Sequence, residues 1–296
     1  MGKTIFTGAG VAIVTPFNED GSVNYDALGN LIEFQIKNET DAIIICGTTG
    51  EASTLTDDEQ IETIRFTVDK VNKRVPVIAG AGSNDTRHGI ELCKRCEQVG
   101  ADALLIVTPY YNKTTQKGLV KYYTDMAGAT DLPVIMYSVP GRTGLNIAPK
   151  TAETIAKTVE NVVAIKEASG NIAQVAEIAA RTQGDIDIYS GNDDQIVPLL
   201  SLGGKGVISV LSNVAPKYTH DMVTSFLKGD TKKAAKMQLD AIDLIKALFC
   251  ETSPIPVKAA LNKMGLNAGG YRSPLVEMEE ANKAVLEKAM KDFGLL

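Results

Sequence analysis

A chain of 296 residues that is 44% hydrophobic can bury a full core and fits one large globular domain. Its formal charge of −6, with no basic cluster anywhere, excludes a dedicated nucleic-acid or anionic-membrane surface and points to small-molecule partners. No run of about 18 apolar residues offers a membrane span, and the opening MGKTIFTGAG lacks the apolar stretch of a signal peptide, so a soluble, cytoplasmic protein is expected.

Short apolar runs recur along the chain at 10–14, 41–46, 75–79, 102–107, 133–137, 162–166, 185–189 and 206–210, with amphipathic segments between them. Eight near-continuous apolar strands, each followed by a helical pattern, predict an α/β fold: a closed parallel (β/α)8 TIM barrel. A doubly wound open sheet is the alternative, but Gly8-Ala9-Gly10 and Gly80-Ala81-Gly82 each lack the third glycine of its dinucleotide fingerprint. Helix starts are marked in places, as by Thr56 followed by Glu59, a capping box ahead of Ile61, Ile64, Val68 and Val71. The barrel is assigned to 1–225. The remaining 226–296 form a C-terminal helical extension, with helical patterns near 214–227, 231–249, 254–264 and 276–292, and with Ser253 and Pro254 as N-cap and first helical residue.

Cys93 and Cys96 form a CxxC, but they sit within the predicted helix 85–98 with no second pair, and read as structural thiols. His88 and His220 are the only histidines, which leaves little for a His-based metal site or a Ser-His-Asp triad.

In a (β/α)8 barrel the chemistry lies at the C-terminal strand ends. Strand 6 ends in Lys166, which is either a solvated strand end or a nucleophile. Alternation places Lys166 on one face with Ala164 and Val162, and Ile165 and Val163 on the other. Strand 5 ends in Tyr137, so phenol and amine are neighbours round the barrel, the minimum kit for forming and protonating an imine. The loop beyond it carries Arg142, able to clamp a carboxylate bidentately. After strand 2, Gly47-Thr48-Thr49-Gly50-Glu51 offers a concavity of amides and hydroxyls suited to a carboxylate, or is an ordinary glycine-rich turn. Tyr110 and Tyr111 after strand 4 are either hydrogen-bonding groups or rim packing. The two acids at Asp193 and Asp194 after strand 7 disfavour a phosphorylated substrate.

Taken together, GTTGE at 47–51, PYYN at 109–112, YSVPGRTG at 137–144, IKEASG at 165–170, YSGND at 189–193 and GVISV at 206–210 resemble the dihydrodipicolinate synthase branch of the pyruvate-dependent class I aldolases. The resemblance implies that Lys166 forms a Schiff base with pyruvate. The derived enamine then attacks L-aspartate-4-semialdehyde, and cyclisation yields 4-hydroxy-tetrahydrodipicolinate, on the route to diaminopimelate and lysine. It implies neither metal nor organic cofactor. It makes Tyr137, Thr49 and Tyr111 a proton relay, gives Thr48 and Thr49 the pyruvate carboxylate and Arg142 the semialdehyde carboxylate, and places Gly191 and the Ile208 carbonyl along the pocket. Tyr111 is implied to reach into a neighbouring subunit within a homotetramer built as a dimer of dimers.

The family's lysine-inhibition site corresponds here to Asp57, Gln60, Asn84, His88 and Tyr110. Only Asn84 and Tyr110 match its pattern, so weak or absent inhibition by L-lysine is expected. The alternatives are an N-acetylneuraminate or 2-keto-3-deoxy-sugar aldolase, against which Arg142 argues, and a noncatalytic keto-acid-binding barrel, against which the set Lys166, Tyr137 and Thr49 argues.

Overall fold

A computed structural model describes residues 4–296. Its eight parallel strands are β1 Gly8–Ala12, β2 Ala42–Ile45, β3 Val77–Gly80, β4 Ala103–Val107, β5 Val134–Ser138, β6 Val162–Glu167, β7 Asp187–Ser190 and β8 Gly206–Ser209. They pair in chain order and β8 closes on β1, giving the expected closed barrel. The first helices are α1 Tyr25–Lys37, α2 Asp57–Val71, α3 Thr86–Gln98, α4 Gln116–Ala127, the single turn α5 Pro140–Thr143, α6 Pro149–Thr158, α7 Ile172–Thr182 and α8 Ile196–Leu200. After β8 come α9 Pro216–Leu227, which packs against β1, and then α10 Thr231–Asp240, α11 Ile242–Leu248, α12 Ile255–Lys263 and α13 Glu280–Phe293.

The strands are apolar on both faces because both faces are covered. Outward side chains such as Val11, Ile43, Ile45, Leu104 and Ile165 pack into one large core beneath the helices. Inward ones, including Ile44, Leu105, Ile135, Ala164 and Ile208, fill the barrel itself. Also inside the barrel, Phe6 stacks on Tyr189 with ring centroids 4.4 Å apart, and the Tyr189 hydroxyl donates to the Phe6 carbonyl at 2.6 Å. The seam between β1 and β8 depends on glycine, since a Cβ at Gly206 would lie 1.9 Å from the Gly8 carbonyl oxygen.

Four local expectations are corrected. Val162 does not share a face with Lys166. The β5–β6 register runs Val134↔Val162 and then Ile135↔Ala164, so Val163 is an extra residue that reverses the alternation. Val162 therefore joins the outer core with Ile165, while Ala164 and Lys166 keep the inner face. Ser253 is not an N-cap either: α12 begins at Ile255 with Pro254 in the cap position and no side-chain cap, and the Ser253 carbonyl is turned to Arg142. The 231–249 pattern is two helices broken at Ala241, and the last helix begins at Glu280 instead of 276. The capping box at Thr56 and Glu59 forms with both of its hydrogen bonds.

Candidate active site

The register across the barrel's C-terminal end reads Val107↔Tyr137↔Lys166↔Tyr189, which makes Tyr137 and Lys166 direct neighbours. Both are buried, at 7% and 6% exposure. The Lys166 Nζ lies 4.2 Å from the centroid of the Tyr137 ring, and no hydrogen bond to it is found among the described residues. Small Ala164 lies beneath it on the same face. Lys166 is thus a lumen-facing amine with its nitrogen uncommitted, as an attacking nucleophile must be.

The strand tips around it are held by two buried acids, Glu167 and Asp193, of which the sequence singles out only Asp193, and not as buried. Glu167 accepts from the Ser169 amide at 3.2 Å and from Gln174 Nε2 at 2.8 Å. Gln174 in turn exchanges hydrogen bonds with Asn146, which accepts from the Ser138 hydroxyl at 3.2 Å. This chain of polar groups joins the tip of β6 to that of β5, and burial pushes the Glu167 carboxyl above the usual carboxylate range. Asp193 accepts from Ser209 Oγ at 2.6 Å and from the amides of Val210 and Leu211 at 3.0 and 2.8 Å, fixing the turn after β8. Burial raises its carboxyl too, partly offset by those donors and by the charge of Lys166. A sequence signal existed only for the pair of acids at 193 and 194; which one turns inward came from the fold.

Residues 47–51 form a tight turn in which the Gly50 amide donates to the Gly47 carbonyl and the Glu51 amide to that of Thr48, each at 3.1 Å. The left-handed residues are Cys46 and Glu51, with φ of 53° and 54°, and not the glycines. Gly50 is needed for space: a Cβ there would stand 3.2 Å from the Ile13 carbonyl oxygen. Thr49 is buried and Thr48 exposed. On the opposite rim, Arg142 sits in the turn α5 and donates from Nη2 to the Ser253 carbonyl at 2.9 Å.

A cavity of about 340 Å³ is lined by Thr48, Tyr137 and Arg142, and continues past Asp57, Gln60, Ser83, His88 and Tyr110. Neither Lys166 nor Thr49 lines it. Asn84 stands beside it, donating from Nδ2 to the Tyr110 carbonyl at 3.2 Å. His88 is engaged at both ring nitrogens, with Asp57 at 2.9 Å and Ser83 at 3.0 Å. Gly191 lies against Lys166: a Cβ built on it would stand 3.1 Å from Lys166 Cε. Ile208 faces the barrel interior. Tyr111 alone stands apart: it is 92% exposed with φ of 68°, and within one chain it is not brought to Tyr137 or Thr49.

Among the described residues, the one cluster with metal-ligand character is Glu39, His220 and Asp221. It lies beside Asp41, before β2 and so at the far end of the barrel, and Lys217 already pairs with Glu39 at 3.1 Å and Asp221 at 2.6 Å. Cys93 and Cys96 are buried on α3 with free thiols pushed up to about 12 by burial.

Comparison with known proteins now decides the family: residues 5–293 match the Dihydrodipicolinate synthetase family. The chain belongs to that family. It is 61% identical over 292 residues, 99% of each chain, to the 4-hydroxy-tetrahydrodipicolinate synthase of Lachnoclostridium phytofermentans. Among solved structures, the dihydrodipicolinate synthase of Thermotoga maritima superposes with a TM-score of 0.97 at 43% identity, covering 99% of this chain and 100% of that one. The chloride-inhibited family enzyme of Acinetobacter baumannii, solved in complex with pyruvate, gives a TM-score of 0.96 at 43% identity with 99% and 100% coverage. No helix among the described residues is long and apolar enough to cross a membrane.

Proposed function

We propose that this chain catalyses the 4-hydroxy-tetrahydrodipicolinate synthase reaction, and the observation that carries the reading is Lys166, buried at a strand tip with its Nζ against the Tyr137 ring. The Nζ attacks the ketone of pyruvate, water leaves, and loss of a methyl proton gives an enamine. The enamine carbon bonds to the aldehyde carbon of L-aspartate-4-semialdehyde. The amine of the joined substrate then displaces the lysine, closing the ring and freeing Lys166.

Thr48 and Thr49 receive the pyruvate carboxylate at the turn after β2, and Arg142, anchored by one donor with the rest of its fork free to bind, receives that of the semialdehyde. Gly191 and the Ile208 carbonyl line the pocket. Tyr137 and Thr49 pass protons together with Tyr111, which is supplied by a second subunit. Its near-complete exposure and its left-handed backbone, unusual for a bulky residue, support that reading, because they carry the ring away from its own chain. The assembly is a homotetramer, two such dimers together, working in the cytoplasm. Asp57, Gln60, Asn84, His88 and Tyr110 form a degenerate effector pocket that L-lysine occupies weakly or not at all.

The test is trapping. Pyruvate followed by borohydride leaves a reduced adduct on Lys166 by mass spectrometry, and a coupled assay consumes aspartate semialdehyde but neither N-acetylneuraminate nor a keto-deoxy sugar. Absence of the adduct overturns the aldolase chemistry; turnover of the sugar in place of the semialdehyde overturns the substrate.

A further inference from the structure

The turn 47–51 closes on itself through short backbone rings, but those bonds do not hold it against the barrel. Its outside anchors are few. Thr15, following β1, donates from Oγ1 to the Gly50 carbonyl at 2.7 Å. Glu51, the last residue of the turn, accepts at Oε1 from Lys258 Nζ at 2.8 Å and at Oε2 from the Arg272 amide at 3.1 Å. Lys258 also donates to the Thr15 carbonyl at 2.9 Å, so a single Nζ bridges the segments after β1 and after β2. The ion pair is sealed from water, with side-chain exposures of 0% and 1%. The ring of Phe17 lies 4.5 Å from the same nitrogen.

Burying such a pair is costly, and apolar side chains of similar volume fill a core at least as well. What the charged pair adds is direction: two charge-assisted hydrogen bonds of set geometry from one nitrogen. Glu51 also holds a left-handed backbone conformation that glycine adopts without strain, at φ 54°. Glycine there would lack the carboxylate. The feature that the strain and the burial both serve is the attachment of this turn to Lys258.

We infer that Lys258 of α12, outside the barrel, is a positioning residue that fixes Thr48 and Thr49 for the pyruvate carboxylate by holding Glu51. This rests on the proposed pyruvate chemistry. Lys258 touches no substrate; Thr48 and Thr49 lie three and two residues before its partner, so a loosened Glu51 displaces both hydroxyls.

The experiment compares wild type with the double variant Glu51→Gln/Lys258→Met, which leaves no unpaired buried charge. In a covalent two-step reaction, kcat/KM for each substrate reports its own half-reaction. The expected result is a fall of about tenfold or more in kcat/KM for pyruvate with that for the semialdehyde within about threefold of wild type, and a matching rise in the pyruvate concentration giving half-maximal trapping on Lys166. A merely structural role lowers both constants by the same factor, through loss of folded enzyme, and that result, or no change in either, overturns the inference. If the double variant does not fold, the single variant Glu51→Gln, which keeps a neutral acceptor for Lys258 but removes the ion pair, carries the same expectation and the same refutation. Failure of wild type itself to form the adduct would instead overturn the function.

Discussion

Gly191 allows a sharp test of whether Lys166 works where the fold puts it. A Cβ added there would meet the Ala168 Cβ at 2.6 Å, Lys166 Cε at 3.1 Å and the Glu167 carbonyl oxygen at 3.2 Å. Carbon contacts are comfortable at about 3.5–4.0 Å, so the first overlap is about an ångström deep and the second a few tenths. The Ala168 methyl cannot rotate away, and β6 and β7 cannot simply part, because the Gly191 amide donates to the Glu167 carbonyl at 2.7 Å. The tip of β6 must therefore move, carrying Lys166 with it. Overpacking of this kind costs about 1–3 kcal/mol. With an unfolding entropy of roughly 0.6 kcal/mol/K for a chain of this length, Tm for Gly191→Ala should drop by about 2–5 °C. Activity should fall further. A nucleophile displaced by part of an ångström loses roughly ten- to hundredfold in kcat/KM for pyruvate, and the borohydride-trapped adduct should form more slowly in proportion. Gly270→Ala is the control, since no atom lies within 4 Å of its built Cβ. A Gly191→Ala enzyme with wild-type kcat/KM and trapping rate would refute the placement of Lys166 against this glycine.

Tyr111→Phe should lower kcat by about a hundredfold with the fold intact, since the variant loses only the hydroxyl; unaltered turnover would remove it from the relay. L-lysine should inhibit weakly or not at all, because Asp57 and His88 satisfy each other at 2.9 Å and His88 is also bonded to Ser83, so a bound lysine must break that pairing; strong inhibition at low concentration in a steady-state assay would contradict this. Glu59 is held down to about 2, chiefly by its hydrogen bond with Arg272. A depressed carboxyl stabilises the fold above its ordinary value and loses that contribution as pH falls toward the depressed one. Glu59→Gln should therefore flatten the loss of Tm between about pH 4.5 and 2, and an acid profile identical to wild type would show that the Arg272 contact adds nothing.

The barrel is readable because its signal repeats: each strand is apolar on both faces, and chain-order pairing then makes the tips of β5 and β6 adjacent, so the sequence alone places Tyr137 and Lys166 together. What failed was whatever depends on one residue's local backbone. Strict alternation put Val162 with Lys166, and the extra Val163 moved it to the other face; nothing in five consecutive apolar or strand-ending residues announces a bulge. GTTGE reads as a glycine-rich turn, yet the left-handed conformations there belong to Cys46 and Glu51. The inward turn of Asp193 and the burial of Glu167 were equally silent, since an acid beside a strand end is usually solvated and only the surrounding donors reverse that.

The hardest part to read was Glu51, because its partner lies 207 residues away. Its motif was informative about Thr48 and Thr49 and said nothing about what holds them. The same is true across the pocket, where Arg142 leans on the Ser253 carbonyl just before α12, and at Glu59, whose carboxylate is also clasped by Arg272 Nη1 and Nη2, at 2.8 and 2.6 Å. Both proposed carboxylate-receiving elements, one on each side of Lys166, are thus braced by residues between 253 and 272. The barrel strands supply the proposed nucleophile and its phenol neighbour, while the partners that hold the two proposed carboxylate receivers lie outside the barrel. Substrate geometry in this fold is therefore shared between the strand tips and the C-terminal helices, which is why loop motifs alone identify the chemistry without showing how it is held.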